Sequence, residues 1–337
     1  MRSITPTLGC SQVAASVAML LLPGCVFVTG NLNPFTTTPQ PLEEHVVSGE
    51  GRAKVLLLDI SRVIASQDEE DTLGIRHRES TTARVRQELD QAAEDERVRA
   101  LVLRINSPGG TVTASDIVYH QIMEFKAKHA VPVVAQLLDM ATSGAYYVAL
   151  AADEIVASPT TVTGSIGVAM YGVNLAGLME KVGVTNQTLK AGPRKDIGSP
   201  LRKMTPEEEG ILQSVLTEMQ ERFLTIVRER RPGLSGETLQ RISDGRILSA
   251  EQARRDGLID RIGYLPDAVG AAVQRAGISA ARVVMYRRPE EFAENIYSTA
   301  HTASPLEAHQ VNLINVDFSG LRLGTPQFLY MWLPALE

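Results

Sequence analysis

The sequence predicts an α/β fold built on a parallel β-sheet, and three features of the chain indicate it. Of its 337 residues 44% are hydrophobic but only 5% are aromatic, so the core must be mainly aliphatic and rich in alanine. Residues 54–60 and 98–105 are short apolar runs, typical of strands buried on both faces. Residues 82–96 between them have the apolar spacing of a helix, which predicts a strand–helix–strand unit.

The same alternation continues along the chain. Residues 115–129 predict a helix after the loop NSPGG, and residues 131–137 predict a strand that leads into the stretch TSGA and a further helix. A strand therefore twice delivers a glycine-containing turn into a helix, and functional sites in open α/β sheets lie at such carboxyl ends. The other predicted elements are strands at 154–157 and 184–189 and helices at 176–182, 206–230, 237–242, 250–256 and 267–276.

Composition excludes several classes of function. The net charge of -6 and the pI near 5.6 leave no basic surface for nucleic acid. Both cysteines, Cys10 and Cys25, lie in the first 25 residues, so the rest of the chain has neither a disulfide framework nor a thiolate metal site. We expect no nucleic-acid partner, no metal and no cofactor.

Residues 1–30 are interpreted as a signal peptide or membrane anchor. The apolar run at 13–22 has the length of a signal-peptide core rather than of a full membrane span. The string LPGC resembles a bacterial lipobox, which makes Cys25 a candidate for lipidation, although Pro23 departs from the usual pattern. The first downstream charges are acidic and favour a body on the non-cytoplasmic side. A leader that is simply cleaved off is the alternative.

The chain beyond this segment divides into three predicted parts. Residues 31–52, with several Thr and Pro, form a linker. Residues 53–285 form the domain, and residues 286–337 a C-terminal extension without clear periodicity. The apolar stretch at 328–333 in this extension contains the only tryptophan. It is predicted either to dock on a neighbouring subunit or in a substrate groove, or to finish the core as an edge strand.

Ser143, at the start of a predicted helix, is a candidate nucleophile, and a serine nucleophile needs a base. No histidine lies between His129 and His301, which disfavours a Ser-His-Asp triad. A neutral lysine serves as base where burial lowers its pKa, and the loop at 190–203 contains three lysines. Among them Lys195 stands beside an aspartate, and from these two residues alone an ordinary surface ion pair is the favoured interpretation.

Acyl transfer also requires donors for the developing oxyanion. The backbone amides of Gly110 and Gly144 meet that need without any side chain. From these short strings alone, an ordinary glycine turn and an ordinary helix cap remain the alternatives.

Four motifs together resemble the bacterial signal peptide peptidase A family of Ser/Lys serine peptidases. They are NSPGG, ATSGAYYVALAADEIVASPTTVTGSIGV, AGPRKDIGSPLRKMTPEE and DGRILSAEQARRDGLID, and with their spacing they cover residues 53–275. The resemblance implies a caseinolytic-protease/crotonase-like α/β fold, a spiral of strands with outer helices. It also implies assembly into a homo-oligomeric ring.

The resemblance assigns a role to each candidate residue. Ser143 would be the nucleophile and Lys195, 52 positions later, the general base. Ser165 in TGSIG would orient the lysine amine, and Gly110 with Gly144 would form the oxyanion hole.

The implied enzyme is a serine endopeptidase that is tethered to the bacterial cell membrane, with its catalytic domain on the non-cytoplasmic side. Its expected partners are extended apolar peptides, notably cleaved signal peptides, the membrane, and other copies of the chain. Two alternatives stay open: a crotonase-like acyl-CoA enzyme, which would use the glycine amides without Ser143 or Lys195, and a noncatalytic membrane-associated scaffold.

Overall fold

The computed structural model describes residues 40–70, 77–289, 291, 294–298 and 328–332. Within these ranges the strands are β1 (Glu43–Ser48), β2 (Ala53–Ser61), β3 (Glu69–Glu70), β4 (His77–Arg78), β5 (Val98–Ser107), β6 (Gly109–Thr111), β7 (Val133–Thr142), β8 (Glu154–Ala157), β9 (Val162–Gly164), β10 (Ala169–Met170), β11 (Ile247–Ser249), β12 (Arg261–Ile262), β13 (Ala281–Arg287) and β14 (Phe328–Met331). The helices are α1 (Thr81–Ala93), α2 (Val112–His129), α3 (Gly144–Ala149), α4 (Ala176–Val182), α5 (Pro206–Arg230), α6 (Gly236–Ile242), α7 (Ala250–Arg255) and α8 (Leu265–Arg275).

A mostly parallel sheet forms the centre of the described chain. Its strands lie in the order β1-β13-β2-β5-β7-β8-β12, and β9 pairs with both β7 and β11. Strands β2, β5, β7 and β8 are parallel neighbours, with Leu57 opposite Val102 and Val102 opposite Val134. Helix α1 connects β2 to β5, and α2 lies between β5 and β7. The predicted strand–helix–strand units are therefore present.

The continuous apolar runs arise because both faces of this sheet are covered. Leu56 and Leu58 of β2 point into one buried cluster, which includes residues of α1, α2, α3 and α5. The alternate residue Leu57 points into a second cluster with Ala268 and Ala272 of α8. Successive side chains of a strand point to opposite faces, so a strand covered on both sides must be apolar throughout.

Two sequence predictions about this region were wrong or incomplete. Residues 184–189 are not a strand: they are exposed, Leu189 is 98% exposed, and no described strand pairs with them. Part of the predicted linker at 31–52 is a strand, because β1 pairs antiparallel with β13. Lys54 of β2 is buried and forms ion pairs with Glu44 of β1 and Asp95, which fixes this edge of the sheet.

The predicted C-terminal extension also contributes ordered contacts. The buried guanidinium of Arg104 on β5 donates hydrogen bonds to the carbonyl oxygens of Ile296 (2.5 Å) and Ser298 (2.7 Å). Strand β14 is the middle strand of a separate three-stranded sheet, ordered β10-β14-β6. The rest of the extension between 299 and 327 lies outside the described residues.

The predicted N-terminal segment 1–30, with Cys25, also lies outside the described residues. In the described part of the chain, no helix combines the length and the apolar character needed to cross a bilayer.

Candidate active site

Ser143 occupies a sharp turn between the central strand β7 and helix α3. Its φ of 53° and ψ of -115° lie in a region that residues with a Cβ rarely adopt. The turn is held on both sides, because the Ser143 N–H donates to the Gly164 carbonyl (2.8 Å) and its carbonyl accepts from the Tyr147 N–H (2.9 Å). Such strain persists only where the surroundings fix the conformation, and it is common at active sites.

The hydroxyl of Ser143 is buried yet weakly engaged. The side chain is only 1% exposed, and Oγ donates at 3.5 Å to the Gly167 carbonyl, at the limit of a hydrogen bond. The hydroxyl is therefore not committed to a strong structural hydrogen bond with that carbonyl. This arrangement suits a side chain whose proton has to be removed during a reaction.

Gly110 brings a backbone amide next to the helix that begins after Ser143. The preceding amide of Gly109 is already used, since it donates to Ser107 Oγ at 3.1 Å. The Gly110 nitrogen lies 3.2 Å from the position that a Cβ on Gly144 would take. Gly144 is the first residue of α3, so its N–H has no acceptor within the helix. The amides of Gly110 and Gly144 therefore lie side by side near Ser143.

Only glycine fits at these two positions. A Cβ on Gly110 would lie 1.9 Å from the carbonyl oxygen of Ile64, and one on Gly144 would lie 2.3 Å from Ser115 Oγ. Ile64 is fixed there by hydrogen bonds of its N–H to the Gly109 carbonyl (2.8 Å) and of its carbonyl from the Thr111 N–H (2.9 Å). The glycine loop is thus packed against backbone that cannot easily move.

Ser165 reaches the same place from the neighbouring strand. Strand β9 runs parallel to β7 with Gly164 opposite Thr142, so the residues that follow each strand, Ser165 and Ser143, lie at the same sheet end. Ser165 also has a positive φ of 52° and is 8% exposed. Its N–H donates to the Arg246 carbonyl at 2.7 Å. The structure therefore brings Ser143, Ser165 and the two glycines together.

Lys195 is not part of this cluster in the single chain. It is exposed on the loop after α4, and among the described residues no hydrogen bond joins its Nζ to either serine. Its side chain folds back on its own loop, with Cγ 3.1 Å from where a Cβ on Gly192 would be. We refer to residues 171–205, which include α4 and this loop, as the arm.

Asp196 does not pair with its neighbour Lys195. Its carboxylate accepts from Lys190 Nζ (2.5 Å) and from Arg202 (2.7 and 2.8 Å). The hydrogen bonds from Arg202 and Lys190 hold the pKa of Asp196 well below its usual range. The alternative of a Lys195–Asp196 surface pair is therefore not what forms, and Lys195 is left without an anionic partner in the described chain.

The arm is joined to α5 by a second carboxylate. Arg202 also donates to Glu208 Oε1 at 2.6 Å and Oε2 at 2.8 Å. Glu208 closes the predicted capping box, since its carboxylate accepts from the Thr205 N–H (2.9 Å) while Thr205 Oγ1 accepts from the Glu208 N–H (3.2 Å). These contacts, led by the Arg202 hydrogen bonds, lower the pKa of Glu208 to about 2.

Three contributors to this site were not identified from the sequence. Ser107 occupies the Gly109 amide, Ile64 supports the glycine loop, and the Arg246 carbonyl holds Ser165. The SPGG string gave a signal for Ser107, because a serine two residues before a glycine commonly binds its amide. Ile64 and Arg246 act through backbone atoms, so their residue types do not indicate this role.

Two family models match the chain. The model of peptidase family S49 matches residues 125–279, and the model of Clp protease matches residues 67–163. Both matched ranges contain Ser143. With the mostly parallel sheet, the Clp protease match confirms the predicted caseinolytic-protease-like fold class.

The chain is also similar to individual proteins. The chain is 31% identical over 296 residues to an Enterococcus faecium protein called "putative signal peptide peptidase SppA", covering 85% of this chain and 84% of that protein. It is 34% identical over 214 residues to protease 4 of Salmonella typhi, covering 63% of this chain but only 33% of that protein. A solved structure of a membrane-bound stomatin-specific protease is similar over 66% of this chain and 85% of its own, at 15% identity and a TM-score of 0.41.

Proposed function

Because the chain belongs to peptidase family S49, we propose that it is a serine endopeptidase in which Ser143 is the nucleophile and Lys195 the general base. The observation that carries the proposal is the turn after β7. It holds Ser143 in a left-handed conformation beside the amides of Gly110 and Gly144, with its hydroxyl only weakly engaged. A helix cap needs none of this strain, whereas strain of this kind is common where a reacting hydroxyl is held on a sharp strand-to-helix turn.

The proposed chemistry uses one proton acceptor. The neutral amine of Lys195 takes the proton from Ser143 Oγ as Oγ attacks the peptide carbonyl carbon. The N–H groups of Gly110 and Gly144 stabilise the oxyanion of the tetrahedral intermediate. Its collapse breaks the C–N bond while the lysine ammonium protonates the leaving amine, and a water molecule then hydrolyses the acyl-enzyme by the same route. Ser165 Oγ would orient the lysine amine.

The proposal requires the arm to pack against the Ser143 side of the site. A lysine becomes neutral near physiological pH only when burial lowers its pKa, and Lys195 is exposed in the single chain. The arm also exposes apolar side chains, among them Val173 (73%) and Val182 (64%). We infer that assembly with further copies of the chain covers these residues and buries Lys195.

The proposed substrates are extended apolar peptides, in particular cleaved signal peptides. Support comes from the name of the Enterococcus faecium relative and from the buried position of Ser143, which only an unfolded segment can reach. We propose that residues 1–30 tether the protein to the membrane through Cys25 or an apolar anchor. Cys25→Ser should prevent incorporation of radiolabelled palmitate; labelling that persists in this variant would refute lipidation at Cys25.

The dyad is tested by peptide hydrolysis with the full chain in detergent, using a fluorogenic apolar peptide and variants matched in oligomer size. We expect Ser143→Ala and Lys195→Ala each to lower kcat/KM by at least about 10³-fold, because the two groups act as a unit. Lys203→Ala is the matched control, since Lys203 is an exposed lysine on the same arm, and it should retain activity within about twofold. The rate should rise with pH along a limb centred well below about 10.4, the ordinary lysine pKa.

The outcomes of this experiment distinguish the peptidase from the two alternative functions. Full activity in Lys195→Ala would exclude the proposed base. An inactive wild-type protein that copurifies with coenzyme A would favour an acyl-CoA enzyme, and an inactive protein without it would favour the scaffold.

A further inference from the structure

Thr142, the last residue of β7, connects the turn at Ser143 with the loop that carries Gly110. Its side chain is fully buried, and its Oγ1 donates a hydrogen bond to the Pro108 carbonyl at 3.1 Å. Thr142 directly precedes Ser143, and Pro108 lies two residues before Gly110. One buried hydroxyl therefore joins the segment of the proposed nucleophile to the segment of a proposed oxyanion donor.

The main-chain pairing between β5 and β7 is irregular where these two segments begin. The strands pair in regular register as far as Ile105 opposite Leu137. The next pair, Ser107 opposite Ala141, follows a shift in which β7 advances by four residues and β5 by two. Such a shift disrupts the ladder of main-chain hydrogen bonds. Side chains therefore have a larger share in holding the two segments together here than elsewhere in the sheet.

Two side chains bridge this irregular stretch. The amide of Asn106 donates to Asp139 Oδ2 at 3.1 Å, and its oxygen accepts from the Met140 N–H at 3.2 Å. Closer to the turn, Thr142 binds the Pro108 carbonyl. Asp139 is exposed whereas Thr142 is fully buried. The bridge made by Thr142 is therefore the one that is sheltered from competing water, and such a hydrogen bond is electrostatically stronger.

The hydrogen bond from Thr142 holds the peptide unit between Pro108 and Gly109. This unit is planar, so fixing its two polar groups fixes its orientation. Its N–H, which belongs to Gly109, donates to Ser107 Oγ at 3.1 Å. Its carbonyl accepts from Thr142 and also from the Trp332 N–H at 3.0 Å. The peptide unit is thus held from both sides.

The orientation of this peptide unit affects where the Gly110 N–H points. The two units meet at the Cα of Gly109, whose φ of 105° lies in a region that glycine adopts and other residues rarely do. Glycine has wide backbone freedom, so Gly109 does not by itself fix the direction of the following N–H. An oxyanion donor acts only when it is aimed at the developing charge. Contacts to the preceding peptide unit must therefore supply that precision.

We propose that Thr142 is a positioning residue: its hydroxyl holds the Pro108 carbonyl and thereby aims the Gly110 N–H at the oxyanion. Thr142 acts through the loop and not on the reacting atoms. The β-branched side chain suits this role, because its restricted χ1 keeps the hydroxyl directed at one acceptor. The proposal rests on the proposed function, since the direction of this N–H matters for catalysis only if an oxyanion forms beside it.

The first test compares Thr142→Val, which removes the hydroxyl but keeps the β-branched shape, with Thr142→Ser, which keeps the hydroxyl. Hydrolysis of the fluorogenic apolar peptide is measured with full-length proteins of equal oligomer size. We expect Thr142→Val to lower kcat by about 10- to 100-fold and to leave KM within about twofold, because a misaimed donor weakens binding of the transition state alone. Thr142→Ser should keep kcat within about threefold of the wild type. A wild-type kcat in Thr142→Val, or equal losses in both variants, would overturn the proposal.

Thr161→Val is the matched control. Thr161 is also buried, and its Oγ1 donates to the Leu137 carbonyl at 3.0 Å, which lies earlier in β7 than the turn. Both Val variants lose a buried hydrogen bond from a hydroxyl to a carbonyl, so both should have a lower melting temperature than the wild type. Only Thr142→Val should have a lower kcat. An equal loss of kcat in Thr161→Val would mean general destabilisation and would overturn the proposal.

Two further readouts distinguish positioning from a purely structural role. A peptide aldehyde that adds to Ser143 Oγ places an oxyanion beside the two glycine amides. We expect Thr142→Val to raise the Ki of this aldehyde by the same factor by which kcat falls. The ascending limb of the pH–rate profile should not move, because Thr142 does not contact the proposed base. An unchanged Ki or a displaced limb would overturn the proposal.

The design stays decisive if Thr142→Val does not fold. Thr142→Ser is then compared with Thr142→Ala, because these two variants differ only in the hydroxyl oxygen, and equal kcat values would overturn the proposal.

Crystal structures of the wild type and Thr142→Val separate this inference from the proposed function. If the peptide unit between Gly109 and Gly110 is rotated in the variant but the wild type hydrolyses no peptide, control of the loop by Thr142 is supported and the peptidase proposal fails. If the loop does not move in the variant and hydrolysis still requires Ser143, the positioning role is refuted and the peptidase proposal stands.

Discussion

The turn at Ser143 and the arm that carries Lys195 differ in how firmly the chain holds them. Ser143 follows the central strand β7, is almost fully buried and is fixed by backbone hydrogen bonds on both sides. Lys195 lies on the arm, where the helix α4 has no buried residue and the local contacts are mainly between charges. The core of one chain suffices to fix the turn at Ser143, whereas the proposed function requires further contacts to bury Lys195.

This difference has a physical basis in how each region gains stability. Burial of apolar surface and paired backbone groups fix the turn at Ser143. The arm leaves large apolar side chains in water, and exposed ion pairs contribute little. A peptidase built in this way would be inactive as an isolated chain, because its base is neither buried nor close to its nucleophile.

Hydrogen exchange should show the largest contrast between the two regions. In dilute protein we expect the amides of β7 and α3 to exchange at least about 10³-fold more slowly than those of the arm, since local opening of a poorly packed segment costs little free energy. At concentrations where the chain assembles, the arm should become protected while β7 does not change. Equal protection of both regions at every concentration would contradict the comparison.

A matched pair of glycine substitutions should separate the two regions by activity. Gly110→Ala places a Cβ 1.9 Å from backbone atoms of Ile64, so we expect about a 10²-fold loss of kcat/KM through displacement of an oxyanion donor. Gly177→Ala on α4 meets nothing within 4 Å. It should leave activity within about twofold and stabilise the helix by roughly 0.5–1 kcal/mol.

The measurements are peptide hydrolysis and thermal unfolding of both variants. A Gly110→Ala protein with wild-type activity would remove this amide from the proposed mechanism.

The smallest expected effect is the change in stability with pH that comes from the contact between Arg202 and Glu208, which joins the arm to α5. Arg202 lowers the pKa of Glu208 from 4.5 to about 2, so the carboxylate stabilises the folded state above pH 4.5 and loses this contribution as the pH falls toward about 2. We expect Glu208→Gln to have a lower melting temperature than the wild type at about pH 7. The two melting temperatures should converge as the pH approaches about 2.

Thermal unfolding across this pH range provides the measurement. Glu207→Gln is the control, because Glu207 is a neighbouring exposed carboxylate. This substitution should change the melting temperature only slightly, and the change should not depend on pH in the same way. If the melting temperature of Glu208→Gln is lower than that of the wild type by the same amount at every pH, the charge of Glu208 does not account for its contribution to stability.

The sheet could be predicted from the sequence where burial alone decides the residue type. Leu56 to Leu58 and Val102 read as strand because both faces are covered. Residues 184–189 also have a composition typical of a strand. A strand forms only where a partner strand is available, and the local sequence does not reveal whether there is one. Strand β1 was missed because it lies at an edge and buries only Val47, so its charged residues resemble a linker.

The candidate site also has a part that could be predicted from the sequence and a part that could not. The family resemblance implied that Ser143, Ser165, Gly110 and Gly144 would be neighbours, and the carboxyl ends of β7 and β9 bring them together. The position of Lys195 could not be predicted, because the local sequence favours an ion pair that does not form. Under the proposed function, its position in the active enzyme depends on contacts with other copies of the chain.

The place of β14 in its three-stranded sheet has a consequence for solubility. Strands β6 and β10 are separated by one strand, and without β14 each would present unpaired N–H and C=O groups about 10 Å apart. Open strand edges recruit other chains and promote aggregation. By pairing with both edges, residues 328–331 keep the N–H and C=O groups of β6 and β10 from recruiting other polypeptide chains.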